Sequence, residues 1–254
     1  MTNMIQNKLQ KEREYLERMA QVFGGRFENE RSMMFASGRV CSEKIRIVKL
    51  DDKEYFTFML ECSRKSLNTD IIPVMVPVNA QNQSLRFVKQ NTVLTMIGTF
   101  RSNDWTDDDD KHHLDVFFEA QYFEFSDYMI EEEFDRNIVI LNGYICTKPT
   151  FKKTKKGRKI TEYRLAVENK DGTIEYFPII VWGSRASDVA ERYHCGDKLS
   201  VLGRLQSREY HKKATGEDLI AYEVSSRFTL WLGPNHRKMK KNSKQPNCLN
   251  ESAR

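Results

Sequence analysis

Two stretches of this chain carry one residue pattern at a constant separation of 105 positions, and no other feature restricts its fold as tightly. Gly38 recurs as Gly143, Leu60 as Leu165, Pro73 as Pro178, Gly98 as Gly203, Ser102 as Ser207 and Leu114 as Leu219. Average composition gives roughly one chance identity in seventeen positions, so identities alone decide little. The patterning decides more. Leu94, Met96-Ile97-Gly98, Phe100 and Ser102 overlay Leu199, Val201-Leu202-Gly203, Leu205 and Ser207 without a gap. The chain reads as a tandem repeat of one fold.

The second copy is the easier to read. Residues 137–146 form a strand-like run, and 159–168 alternate with Thr161, Tyr163, Leu165 and Val167 on one side. The turn Asn169 to Gly172 leads into a third strand, Tyr176 to Trp182. A helix from Ser184 to Tyr193 follows, then strands at 198–207 and 219–231 around a polar segment, Glu209 to Glu217. Three strands, a helix and two strands is the element order of the OB-fold, a five-stranded Greek-key barrel that binds oligonucleotides on one face.

The expected architecture is therefore mainly β: two tandem OB-fold barrels behind an N-terminal amphipathic helix. In residues 4–23, Ile5, Leu9, Leu16, Met19 and Phe23 recur at helical spacing, and Gly24-Gly25 stops the pattern. The expected units are a helix at 1–25, a first barrel at 33–126, an acidic linker at 127–136, a second barrel at 137–232 and a basic tail at 233–254. The tail is too polar to offset its ordering entropy, so disorder is expected there.

Charge divides at the same boundary. Residues 1–135 hold 17 Lys+Arg against 24 Asp+Glu, whereas 136–254 hold 24 against 12. Such asymmetry points to a polyanion meeting one half only. The loop from Lys148 to Lys159 concentrates the cations: Lys148, Lys152, Lys153, Lys155, Lys156, Arg158 and Lys159, with no acid among them. On an OB-fold this is the hairpin between the first two strands, one of the two binding loops. Arg208, Lys212 and Lys213 flank the groove from the other loop. On the third strand Phe177, Ile179 and Val181 suit the core, which puts Tyr176, Ile180 and Trp182 on the opposite face as a platform for base stacking. The first repeat has Ile71, Met75 and Pro77 at those positions and an acidic arm, read as a long loop from Asp104 to Lys111, with five aspartates and with Trp105 matching Tyr210. It is expected to bind nucleic acid weakly, if at all, and to serve assembly or a protein partner. Met33, Met34, Met59, Met75 and Met96 suit either its core or an adaptable interface.

The segments Asn137-Ile-Val-Ile-Leu-Asn-Gly, Tyr163-Arg-Leu-Ala-Val, Phe177-Pro-Ile-Ile-Val-Trp-Gly, Ala190 to Asp197 and Val201-Leu-Gly-Arg-Leu-Gln-Ser-Arg-Glu-Tyr210 resemble the bacterial single-stranded DNA-binding protein family over residues 136–231. The resemblance implies stacking aromatics at Tyr176, Trp182 and Tyr210. The family's further aromatic after the second strand has no counterpart here, where Glu168, Asn169 and Lys170 stand. It also implies a homodimer with four OB-folds, since two-fold chains of the family pair, and the helix at 4–23 is expected to contribute to that contact. Many members end in a short acidic tip that recruits repair and replication enzymes. This sequence ends in Asn-Glu-Ser-Ala-Arg after a basic run, so recruitment by that route is not expected.

Other classes fall away. No run approaches the ~18 apolar residues of a membrane span, and residues 8–14 are too charged for a signal peptide, so the cytoplasm is the expected location. The five cysteines are scattered without a C-x-x-C pair and read as reduced thiols. Asp107 to Asp110 with His112 and His113 make a poor metal set, because consecutive aspartates cannot all converge on one ion. No cofactor, metal or catalytic motif is expected. The reading is sequence-tolerant single-stranded DNA binding in replication, recombination or repair. The alternatives are a scaffold module of a primosome or mobile-element transfer complex, or a single-stranded RNA binder.

Overall fold

The computed structural model describes residues 2–22, 31–50, 52–64, 68–108, 110, 112–125, 137–212 and 216–234; for 2, 12, 15, 16, 18–22, 210–212 and 217–219 only the backbone is described. The linker expected at 127–136, the tail beyond 234 and Lys213 lie outside these residues.

Helix α1 spans Thr2–Val22. The first repeat comprises β1 (Ser32–Val40), β2 (Arg46–Leu50), β3 (Lys53–Ser63), β4 (Thr69–Pro77), a 3-10 helix (Ala80–Phe87), β5 (Val93–Thr106) and β6 (His112–Phe125). The second comprises β7 (Asn137–Ile145), β8 (Thr150–Lys153), β9 (Lys159–Glu168), β10 (Ile174–Trp182), α2 (Arg185–Arg192), β11 (Lys198–Lys212) and β12 (Glu217–Gly233). β1 and β7, β4 and β10, and the two helices begin and end at the same offset of 105. In each repeat the first strand pairs with the second long strand and with the fourth, and a parallel pairing closes the barrel: β4 with β6, β10 with β12. These are two OB-fold barrels.

Three local expectations are corrected. The polar segment Glu209 to Glu217 is mostly strand, because β11 and β12 stay paired out to Lys212↔Glu217. The acidic arm is likewise an extended hairpin, with Thr106 paired to His112. The basic loop contains a strand, β8, paired with β9 from Thr150↔Glu162 to Lys153↔Lys159. Alternating register carries such polar arms without any core beneath them, so hydropathy did not mark them as strands.

The barrels join through their first strands. β1 and β7 run antiparallel with Met34 opposite Val139, which are repeat equivalents, so a pseudo-twofold axis passes between them. Met34, Ala36, Val139 and Leu141 point into the barrel cores. Met33, Phe35, Ile138 and Ile140 point to the other side, where with Ile97, Leu202 and Leu230 they form an apolar face packed against Leu9 of α1. Burial on both sides explains why these strands read as continuous apolar runs rather than alternating ones.

Contacts across the joint repeat under the axis. The Tyr176 N–H donates to Ser102 Oγ at 3.0 Å, and the Ile71 N–H donates to Ser207 Oγ at 3.0 Å. Phe100 of the first barrel meets Phe177 of the second with ring centroids 4.8 Å apart. Gly98 and Gly203 sit at matching β-bulges. A Cβ there would lie 2.2 Å from the Glu119 carbonyl oxygen or 2.5 Å from that of Ser225, so both positions require glycine. Of the methionines, Met33, Met34 and Met96 are fully buried and Met59 is exposed.

Candidate nucleic-acid interface

On β10, Phe177, Ile179 and Val181 fill the core as the alternation requires. The opposite face is less open than alternation suggests. Ile180, expected outward, is 3% exposed, since β10 lies between β9 and β12 with Glu162 and Ser225 as its neighbours. Trp182 is half-buried at the C-terminal end of the strand, just before Gly183 turns the chain into α2 at φ 77°. Tyr176 is half-buried near the other end, against the first barrel. Burial pushes its hydroxyl above the ordinary tyrosine value, with Cys146 and Asp104 adding to the shift. The two positions stand six steps apart, about 20 Å along an extended strand, so the two aromatics sit at opposite ends of β10.

Trp182 instead lines an open groove of about 1260 Å³. Its walls come from the β9 and β10 ends, the start of α2, β11, β12, the first turn of α1 and the end of β3. Among the described residues, the cations lining it are Arg64, Arg158, Lys159, Arg185, Arg204, Arg208 and Arg227, and no Asp or Glu lines it. Met4, Ile5 and Phe228 supply further apolar surface.

Several of these side chains are held in place. The Arg185 guanidinium lies 5.7 Å from the Phe228 ring centre and donates to the Arg227 carbonyl oxygen; burial lowers its pKa from the usual guanidinium value. Arg204 lies 3.5 Å from Asp70, and Arg208 lies 3.7 Å from Glu223. Glu223 also accepts from Gln206 at 2.8 Å. Burial raises the Glu223 carboxyl above its ordinary value despite Arg208 beside it.

The expected site residues divide. Trp182, Arg158, Lys159 and Arg208 come together in the groove. Lys152 is ion-paired to Glu162 at 2.7 Å, and Lys153, Lys155 and Lys156 are exposed on the adjoining hairpin, outside the groove wall. The Tyr210 and Lys212 side chains lie outside the described residues, although their backbone continues β11 beyond Arg208. The residues not foreseen are Arg64, Arg185, Arg204, Arg227, Phe228, Met4 and Ile5. Arg204 stands within the family-like segment Gly203-Arg-Leu-Gln-Ser-Arg208, which is a local signal. Arg64 and the α1 residues carried no local signal, because only the joint between barrels brings them here.

The first barrel has no such lining at the matched positions. Pro77 stands for Trp182 and Thr99 for Arg204. Its first hairpin, 43–54, mixes four cations with four acids, including the Lys49–Asp52 pair at 2.9 Å. Trp105 is engaged within its own arm. It stacks on His113 at 4.4 Å and donates its indole N–H to Asp115 at 2.7 Å, while Asp107 meets His113 at 2.7 Å. Among the described residues no group of three His, Cys, Asp or Glu side chains could hold a metal ion, and no helix is long and apolar enough to cross a membrane.

Fold and groove together define an OB-fold protein of the oligonucleotide-binding class. Residues 136–230 match the single-strand binding protein family. The chain is 32% identical over 113 residues to single-stranded DNA-binding protein 3 of Clostridium acetobutylicum, covering 41% of this chain and 77% of that protein. It is 35% identical over 83 residues to the single-stranded DNA-binding protein of Clostridium tetani, covering 30% of this chain and 57% of that protein. Among solved structures, the wild-type single-stranded DNA-binding protein of Thermus aquaticus superposes with a TM-score of 0.59 at 16% identity, over 86% of this chain and 97% of that one. The chain belongs to the single-strand binding protein family.

Proposed function

We propose that the chain binds single-stranded DNA with little sequence preference, and that the strand lies in the second barrel's groove. Bases stack on Trp182, and phosphates are neutralised by Arg158, Lys159 and Arg208. Lys152, Lys153, Lys155 and Lys156 extend the field along the hairpin, and to Tyr176, Tyr210 and Lys212 we assign further contacts with the strand. The observation that carries this reading is the union, among the described residues, of an indole with seven cations and no acid in one groove lining, which is what a flexible polyanion with exposed base faces requires. The function is binding rather than catalysis. The roles we assign are DNA replication, recombination or repair in the cytoplasm.

The first barrel serves assembly or a protein partner, and the chain works as a homodimer of four barrels. Phe125, Trp231 and Leu232, exposed near the ends of β6 and β12, supply apolar surface for a second copy. Sedimentation tests that assignment: a mass of twice 29.9 kDa is expected, and a monomer contradicts it.

The binding test is a salt titration with dT oligomers, rU oligomers and a duplex of equal length. Submicromolar binding of dT that weakens steeply with salt is expected, with duplex a poor competitor. Equal competition by duplex refutes base stacking, and preference for rU reassigns the groove to RNA.

A further inference from the structure

The two seams between the barrels are built alike but charged oppositely. Asp70 on β4 and Glu175 on β10 are repeat equivalents, 1% and 7% exposed. Each meets an arginine of the other barrel. Glu175 accepts from Arg101 at 2.6 Å, and Arg101 also donates to Glu119 at 2.9 Å, so two carboxylates converge on one guanidinium. At Asp70 the stoichiometry is reversed. Arg64 grips both carboxylate oxygens, with Nε donating at 2.8 Å, and Arg204 approaches at 3.5 Å, so two guanidiniums converge on one carboxylate. This second seam opens on the groove: Arg64 and Arg204 both line it, with side chains 21% and 25% exposed.

Building on the function proposed above, we propose that Arg64, held by Asp70, is a phosphate-binding residue, and that the strand-binding groove is therefore shared by both barrels. A guanidinium locked side-on by a buried carboxylate has already lost the rotamer freedom that an exposed lysine would lose on binding, and its planar fork suits a phosphate. Asp70 acts as a positioning residue. It fixes Arg64 and Arg204 at one point on the groove floor without itself lining the groove. The first barrel, acidic overall, thus lends a cation at this wall to the other barrel's site.

The test measures dT-oligomer affinity against salt for the full chain and for Arg64→Gln, Arg64→Lys, Asp70→Asn, Trp182→Ala and Arg46→Gln, with thermal melting as the check on folding. Arg46 is an exposed first-barrel arginine outside the groove wall. Arg64→Gln is expected to weaken binding about 5- to 10-fold and to lower the slope of log K against log salt by about 0.7, one phosphate on a single strand. Arg64→Lys keeps the slope but loses affinity at unchanged melting. Asp70→Asn makes the chain more positive, which by charge alone would tighten binding; loss of positioning predicts at least about threefold weaker binding. Arg46→Gln leaves affinity and slope at wild-type values. Wild-type affinity and slope in Arg64→Gln, alongside weakening by Trp182→Ala, overturn the shared groove while the DNA reading stands. Should Arg64→Gln melt early, unchanged affinity in Arg64→Lys overturns it instead. Failure of the wild type to prefer single strands overturns the DNA reading itself.

Discussion

The two barrels share a frame and differ in what they hang on it. Their first strands, third long strands and helices coincide at the 105-residue offset, and their joint repeats under a pseudo-twofold axis. Trp182 is matched by Pro77, an acid-free hairpin by one in which acids balance cations, and a seam with surplus guanidinium by one with surplus carboxylate. The frame sets strand order and barrel closure through buried positions. Binding is set by exposed positions that can diverge without disturbing that frame. One copy can therefore hold the strand while the other supports it and contributes a wall.

The comparison breaks most visibly if the barrels unfold separately. Phe177 is fully buried and touches Phe100 across the joint, so Phe177→Ala should cost about 3–5 kcal/mol. Melting should remain a single transition followed alike by probes in either barrel. Two separated transitions would mean that the joint does not couple them. Next in size is the asymmetry of binding. Trp182→Ala should weaken dT-oligomer binding by about 1–3 kcal/mol, whereas Trp105→Ala, which removes an indole already stacked on His113, should leave it within threefold.

The pseudo-symmetry itself can be sharpened with the seam serines. Ser102→Ala and Ser207→Ala each leave a part-buried N–H without its acceptor, that of Tyr176 or of Ile71, and each should cost about 1 kcal/mol in chemical denaturation. A large inequality would show that one seam dominates. The smallest effect is on pH. Burial raises Glu175 and Glu223 above their ordinary carboxyl value, outweighing the arginines beside them. The folded chain then keeps protons that the unfolded chain has released, so the stability these groups confer is greatest below that interval and declines as pH rises through it. Replacing both by Gln should flatten the urea midpoint between about pH 4 and 7 relative to wild type.

The second copy made the fold legible through its own element order, and repetition carried that reading onto the first copy, whose pattern alone was weaker. Trp182, Arg158, Lys159 and Arg208 were legible because aromatic alternation and an acid-free charge run are local signals. Arg64 was not, since its place in the groove depends on a joint between segments more than a hundred residues apart. Alternation also put Ile180 outward with Trp182, whereas its position between β9 and β12 buries it. Tyr176 was legible as an outward aromatic but not as a seam residue, because the serine that binds its backbone belongs to the other repeat.

The central claim is that the strand lies on the second barrel, and photocrosslinking tests it directly. A dT oligomer carrying a photoreactive base is bound to the full chain, irradiated, and the modified peptides are mapped. Adducts should concentrate on peptides holding Arg158 to Lys159, Trp182 and Arg204 to Arg208. Adducts concentrated instead on the first barrel's acidic arm, between Asp104 and Asp115, would contradict the account.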